Sequence, residues 1–222
     1  MQSVDVMSNI NIFSPAMLKL FTECPAKFYY NYTEQIPQPV LDKNFTAGKN
    51  IHAIAAYYLK QYDISRFETA LSKTEKEYWY YLKNCKYFNY EVIGIEKSIY
   101  MKLNDFWLGG RLDSIVKRGN HIYILDYKTG GISSDMTFDF QTMIYLLLCK
   151  EYYTDFSILT FTYLDLKNKT EHKIEFTNEL EEEYKKRLTK ICSEIKGFNL
   201  SDLKPRHNCR CGYTAVCNYV GA

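Results

Sequence analysis

Residues 109–130, GGRLDSIVKRGNHIYILDYKTG, carry a Gly119-Asn120 pair between two alternating apolar runs, which is the signature of a two-residue β-hairpin loop. That pair fixes a register. With Gly119 and Asn120 as the loop, Arg118 opposes His121, and counting back along both strands brings Asp113 opposite Asp126. Directly opposed side chains share one face, with Cβ atoms about 4.5–5.5 Å apart. Two carboxylates held that close repel each other unless a cation lies between them. Lys128 is two residues beyond Asp126, and the period of two in a strand returns it to the same face. Such a set suits Mg²⁺ or Mn²⁺, hard ions that prefer oxygen ligands and stabilise charge at a phosphate. Lys128 can then orient or deprotonate a water, or neutralise charge on the phosphate. Taken alone, Asp126 and Lys128 also read as solvated charges on a surface strand; the opposed Asp113 is what favours the ion.

Working outward, EVIGIEKSIYMKL (91–103), FWLGGRLDSIVKR (106–118) and HIYILDYK (121–128) are rich in β-branched and aromatic residues and predict a three-stranded meander. Glu96 lies in the first of these, either as an outer carboxylate of the same site or as a surface pair with Lys97. DFQTMIYLLLCKEYY (139–153) returns to helical spacing, FSILTFTYLDL (156–166) and EHKIEFT (171–177) predict a second hairpin, and NELEEEYKKRLTKICSEI (178–195) predicts a charged amphipathic helix. Toward the N-terminus, Ser14-Pro15 predicts a helix start, with Ser as N-cap and Pro in the first turn. Further helices are expected over about 47–61 and, as one continuous element, about 64–82.

The whole is 222 residues with 46% hydrophobic content, no internal repeat and no linker-like tract, which predicts one domain over residues 1–222. No stretch approaches the roughly 18 apolar residues of a membrane span, and the N-terminal sequence lacks a secretory pattern. A cytoplasmic protein with no membrane partner is the expectation. A net charge of +2 leaves nucleic acid open as a partner, since a groove needs only a local basic stripe. The 21 tyrosines can stack on bases or simply fill cores and rims.

The residues on the meander resemble a known family. Gly110 and Asp113, followed by Asp126, Tyr127 and Lys128, are similar to motifs II and III of the RecB-like nucleases of the PD-(D/E)XK superfamily. AGKNIH (47–52) resembles that family's motif I, and QTMIY (141–145) its Q-x-x-x-Y element. The resemblance implies an α/β fold with a mixed central sheet flanked by helices. It implies a metal site of His52, Asp113, Asp126 and the Tyr127 backbone carbonyl, with Asp113, Asp126 and Lys128 catalytic. Gln141 and Tyr145 become candidate DNA contacts, although as an isolated pair on one helix face they also read as core and rim. The implied activity is hydrolysis of DNA, single-stranded and from an end, with integrase or helicase proteins as possible partners. Readings from other classes are a non-catalytic DNA-binding or adaptor module, and an RNA-directed nuclease.

SPAMLKLFTECPAKFYYNY (14–32) looks like the N-terminal element of the CRISPR-associated RecB-like exonucleases and AddB-type nuclease subunits. That resemblance implies a structural 4Fe-4S cluster held by Cys24, Cys209, Cys211 and Cys217, with residues 14–32 and 205–222 as a clasp. Thiolates suit such a cluster. Here only Arg210 separates Cys209 from Cys211, where the family has two residues, so zinc, a substitution by His207, or no metal stay open beside iron. Cys85, Cys149 and Cys192 sit in apolar or helical contexts and read as buried side chains.

Overall fold

A computed structural model describes residues 10–37, 46–132, 134–199, 211–213 and 216–217. In chain order the strands are β1 (Ile12–Phe13), β2 (Glu91–Leu103), β3 (Phe106–Arg118), β4 (His121–Lys128), β5 (Ile158–Asp165) and β6 (Thr170–Glu175). The helices are α1 (Pro15–Glu23), α2 (Pro25–Phe28), α3 (Thr46–Leu59), α4 (Ser65–Ala70), α5 (Lys73–Lys83), α6 (Phe140–Tyr152) and α7 (Asn178–Lys196).

The hairpin forms in the predicted register. Arg118 pairs with His121, and the ladder runs through Lys117–Ile122, Val116–Tyr123 and Ile115–Ile124 to Ser114–Leu125. Gly119 takes φ +59, a conformation that costs glycine little, which is why a two-residue loop closes here. β2 pairs antiparallel along β3, completing the meander, and β5 and β6 form the second hairpin. β4 and β5 run parallel, joined through α6 as a β-α-β crossover. The sheet is therefore mixed, as the sequence implied.

β1 was not foreseen. It runs parallel to β3 at Trp107 and Leu108, and since β2 occupies one edge of β3 throughout, β1 must lie on the edge that β4 uses further along. Residues 109–113 of β3 have neither β1 nor β4 beside them on that edge. The sheet opens there.

Helices cover both faces. On one face α6 lies on the sheet with α1 and α7 against it, and every residue from Thr142 to Cys149 is buried. A helix apolar all round belongs in an interior, and each fully buried Leu adds roughly 1.5–3 kcal/mol. On the other face α3 packs on β2, β3 and β4 and is backed by α5, with Ile51, Ile54, Val116 and Leu125 in its core. α1 starts where Ser14 accepts from the Met17 N–H, as its sequence predicted.

The single helix expected over 64–82 is two. Leu71 is extended at ψ 138, and Ser72 and Glu75 form a reciprocal capping box that starts α5 afresh. The Ser-x-x-Glu signal was present within the mixed apolar pattern and overrides it. Cys149 and Cys192 are buried as expected, whereas Cys85 is only half-buried. Burial pushes the Cys85 thiol up to about 11 and the Cys192 thiol up to about 12, so neither is a ready nucleophile at neutral pH.

Candidate metal centre

The open edge of β3 is where the predicted site residues meet. The next pair after Ser114–Leu125 would be Asp113–Asp126, and there the ladder stops. Asp126 and Lys128 share the α6 face of β4, whereas His52 comes from α3 on the opposite face. The two layers join only at the edge. His52 Nδ1 lies 3.0 Å from Asp113 Oδ1, and its Nε2 lies 2.9 Å from the Tyr127 carbonyl oxygen. Both neighbours are acceptors, so the ring donates from both nitrogens in this arrangement. Burial alone would lower the His52 pKa, but the hydrogen bond and charge of Asp113, with the Tyr127 carbonyl and Asp126, outweigh it and raise it.

Asp126 is 3% exposed. Its Oδ1 accepts from Gln141 Nε2, and Lys128 Nζ lies 2.8 Å from its Oδ2. Lys128 also donates to Gln141 Oε1 at 2.9 Å and sits 5.3 Å from the centre of the Tyr163 ring. A neutral amide is the side chain that can serve an anion and a cation at once, which accounts for glutamine at position 141. Burial and the neighbouring Asp113 carboxylate push the Asp126 pKa up, with Lys128 and His52 opposing. Two carboxylate oxygens, Asp113 Oδ2 and Asp126 Oδ2, are buried without a hydrogen-bond partner; at Asp126 Oδ2 the Lys128 ammonium is an ion pair outside hydrogen-bonding angles. Orphaned, mutually repelling carboxylate oxygens at an open edge fit a hard divalent cation. The side chains as they stand are paired with one another: among the described residues no three His, Cys, Asp or Glu groups converge at ion-binding spacing.

Tyr145 is 8% exposed, and its hydroxyl donates to the Arg111 carbonyl at 2.9 Å. Its ring presses on Gly110, where an added Cβ would meet Cε1 at 2.3 Å. That contact accounts for the glycine. Gln141 and Tyr145 thus turn their polar groups toward Asp126, Lys128 and Arg111, while both line a cleft of about 780 Å³ bordered by Lys19, Arg111 and Lys128.

Glu96 is not a partner of Lys97, which lies over the Tyr152 and Tyr153 rings. It takes φ +45 within β2, where Ile95–Ser114 and Lys97–Leu112 pair on either side of it, so it stands across from Asp113. Its carboxylate lies 3.9 Å from Arg111 and 4.0 Å from Lys60. Left-handed backbone at a non-glycine inside a strand is strained, and it falls beside the site.

Asp165 was missed by the sequence reading. Fully buried at the end of β5, it accepts from the Ile132 N–H at 2.8 Å and from Asn168 N and Nδ2 at 2.9 and 2.8 Å. It thereby anchors the loop that leaves Lys128. The signal in the sequence is Asp165-x-x-Asn168, an Asx-type turn.

Of the cysteine set, Cys24 joins α1 to α2 and its sulfur accepts from the Lys27 N–H. Cys211 and Cys217 are partly buried, and Cys209 lies outside the described residues. The C-terminal segment docks just after Cys24. Tyr213 OH shares its hydrogen between the Ile36 carbonyl at 3.0 Å and Asn31 Oδ1 at 3.2 Å, and Tyr30 OH donates to the Val216 carbonyl at 3.2 Å.

The chain is similar to known proteins in sequence and in fold. Over 123 residues, 54% of this chain, the sequence is 27% identical to the CRISPR-associated exonuclease Cas4 of Francisella tularensis subsp. novicida, and the match spans 61% of that relative's length. A crystal structure of a candidate exonuclease from Eubacterium rectale superposes with a TM-score of 0.56 at 10% identity, covering 84% of this chain and 81% of the other, a likeness of fold. The sequence model of the PD-(D/E)XK nuclease superfamily matches residues 12–218, from β1 to the last cysteine, and the chain belongs to that superfamily.

Proposed function

We propose that this chain is a divalent-metal-dependent DNA exonuclease that acts on single-stranded DNA, with one nuclease domain over residues 1–222 and a structural 4Fe-4S cluster tying its ends. The observation that carries the nuclease reading is the pair of buried Asp113 and Asp126 oxygens without a hydrogen-bond partner at the gap in the β3 edge, the second of them ion-paired with Lys128. His52, Asp113, Asp126 and the Tyr127 carbonyl would hold Mg²⁺ or Mn²⁺. When bound, the ion supplies Lewis-acid stabilisation of charge at the scissile phosphate.

The chain's own groups do the rest. Gln141 accepts from the Lys128 ammonium, which is ion-paired with Asp126, and an N–H of the ammonium stays available to hold a water or a phosphate oxygen. Gln141 keeps Asp126 and Lys128 in register, and Tyr145, seated on Gly110, occupies the Arg111 carbonyl at the open edge of β3. Along the cleft, Gln141 and Tyr145 would border the DNA strand. Cys24, Cys209, Cys211 and Cys217 would hold the cluster, with zinc as the competing metal. The docking of Tyr213 and Val216 beside the chain that follows Cys24 supports this clasp. The named relative suggests a CRISPR-associated role, and the sequence resemblance implies integrase or helicase partners; among the described residues no helix is long and apolar enough to cross a membrane.

The deciding experiment compares wild type with Asp126→Ala and Lys128→Ala on end-labelled single-stranded DNA, with Mn²⁺ or Mg²⁺ and with neither. Metal-dependent cutting by wild type alone supports the assignment. Equal cutting by all three would place the chemistry elsewhere, and preferential cutting of a competing RNA would change the substrate. Binding without any cutting would leave a DNA-binding module.

A further inference from the structure

The α3–α5 layer covers only part of its face of the sheet. It packs over Val92, Ile95 and Val116, while further along the same two strands the outward positions are Ser98, Tyr100 and Lys102 on β2 and Trp107, Gly109 and Arg111 on β3. The register pairs Lys102 with Trp107, Tyr100 with Gly109 and Ser98 with Arg111. Residues 99, 101, 103 and 108, pointing the other way, are all buried against the α6 layer. Apart from Gly109, which is buried, the outward set is open: Tyr100 is 53% and Trp107 47% exposed. The Tyr100 ring lies over Gly109, where a Cβ would meet its Cδ1 at 2.5 Å, so any other residue there would push the ring away. Two large rings and two cations thus share, beside Ile12, one stretch of sheet that no described helix covers.

That stretch leads into the metal centre. Trp107, Gly109, Arg111 and Asp113 follow one another at the two-residue strand period, about 6.8 Å per step and roughly 20 Å in all. Asp113 closes the row by meeting His52 of α3, the helix on this same face. Lys60 and Arg111 flank the junction through Glu96.

Resting on the nuclease reading of the Asp113 site, we propose that this bare face of β2 and β3 is a stacking platform for single-stranded DNA. Tyr100 and Trp107 take bases on their rings, and Lys102 and Arg111 take phosphates. An unpaired strand offers its base faces to such rings, whereas a duplex keeps them stacked internally. The cations supply the charge a phosphate backbone requires, and the continuity with Asp113 gives the strand somewhere to go. The platform therefore selects single strands and delivers one toward the acidic pair.

The chain supplies its own reporter. It has two tryptophans, and Trp79 is buried at 4% exposure, so a quencher in solution reaches Trp107. Titrating the intact protein with a short phosphorothioate oligothymidylate should quench tryptophan emission, and Trp107→Phe should lose that signal while still binding. Trp107→Ala and Tyr100→Ala should each weaken binding about tenfold, and leave hydrolysis of thymidine 5′-monophosphate p-nitrophenyl ester, which reaches only the metal centre, unchanged. Unchanged oligothymidylate affinity in both variants overturns the platform. So does an equal loss on a blunt duplex, or a change in sedimentation with no change in affinity, which would assign the face to a second copy of the chain. Quenching by the oligonucleotide with no cutting of either substrate in Mn²⁺ would keep the platform and remove the nuclease reading beneath it.

Discussion

At the scale of single residues, the site is a chain of paired opposites, and its weakest links are predictable. Gln141 touches both Asp126 and Lys128, so Gln141→Ala should free both and lower activity or Mn²⁺ affinity about 10–100-fold, the range for a group that orients a ligand. Calorimetric Mn²⁺ titration beside a cleavage assay checks this; wild-type behaviour in both would make the glutamine a bystander. Asp165 is the second case. Burial would raise its pKa, but the N–H groups of Asn168 and Ile132 outweigh that and lower it. A lowered carboxylate pKa contributes stability that is present above the unfolded value of about 3.9 and is lost as pH falls through the folded value. Asp165→Ala, which strands those donors, should cost about 2–4 kcal/mol at neutral pH. In denaturant titrations the gap between wild type and Asp165→Asn should narrow as the solution is acidified; a constant gap would mean that the charge is not what matters. The hairpin through Ser114–Leu125 was legible because a turn dipeptide fixed its register, but the expected Asp113–Asp126 pair on one face does not form: Asp126 turns to Gln141 of α6, whereas Asp113 turns to His52 of α3. Asp165 was not legible, because its partners come from a loop whose path depends on the finished sheet.

At the scale of elements, Gly110 and Tyr145 couple β3 to α6. Gly110→Ala places a methyl 2.3 Å from a ring carbon that is itself buried, so the ring or the strand must move. Overpacking of this kind costs about 1–3 kcal/mol, and here it also breaks the hydroxyl contact to Arg111. The expected result is a lowered melting temperature together with lost cleavage. The double variant Gly110→Ala, Tyr145→Ala should recover part of the stability relative to the sum of the singles. Additive losses would show that the two residues do not press on each other. Helix breaks are a gentler matter: Ser72→Ala, removing the N-cap of α5, should cost about 1 kcal/mol with little effect on cleavage. The meander, the second hairpin and α6 were readable from periodicity. β1 was not, since two residues carry no period, and yet its short pairing with Trp107 and Leu108 leaves the edge of β3 open beside Asp113.

At the scale of the whole molecule, the sequence resemblance reached from residue 14 to the last cysteine, and the superfamily match over 12–218 has the same reach. The order of His52, Asp113, Asp126, Lys128, Gln141 and Tyr145 survives folding as one contiguous site. What order could not convey is that His52 arrives from the opposite layer, because strand register says nothing about which helix returns over which face. The ends of the chain pose the remaining question. Tyr213 is 1% exposed and bonds to Asn31 and Ile36, so Tyr213 and the stretch from Asn31 to Ile36 are tied together even before any metal is considered. A cluster shared by Cys24 and the late cysteines would add a constraint that spans most of the chain. Closing so long a loop removes unfolded-state entropy, as a disulfide does, in the range of about 4–5 kcal/mol. Removing the metal with a strong chelator, or substituting Cys24→Ala, should therefore lower the melting temperature and raise amide exchange in residues 24–36 and 211–217 together. Exchange in the β3–β4 ladder should change far less, because its bonds are local to the hairpin. Metal analysis of the purified protein names the occupant, iron with sulfide or zinc. An anaerobically purified protein with neither, and with a melting temperature indifferent to Cys24→Ala, would mean that the tyrosines alone hold the ends together.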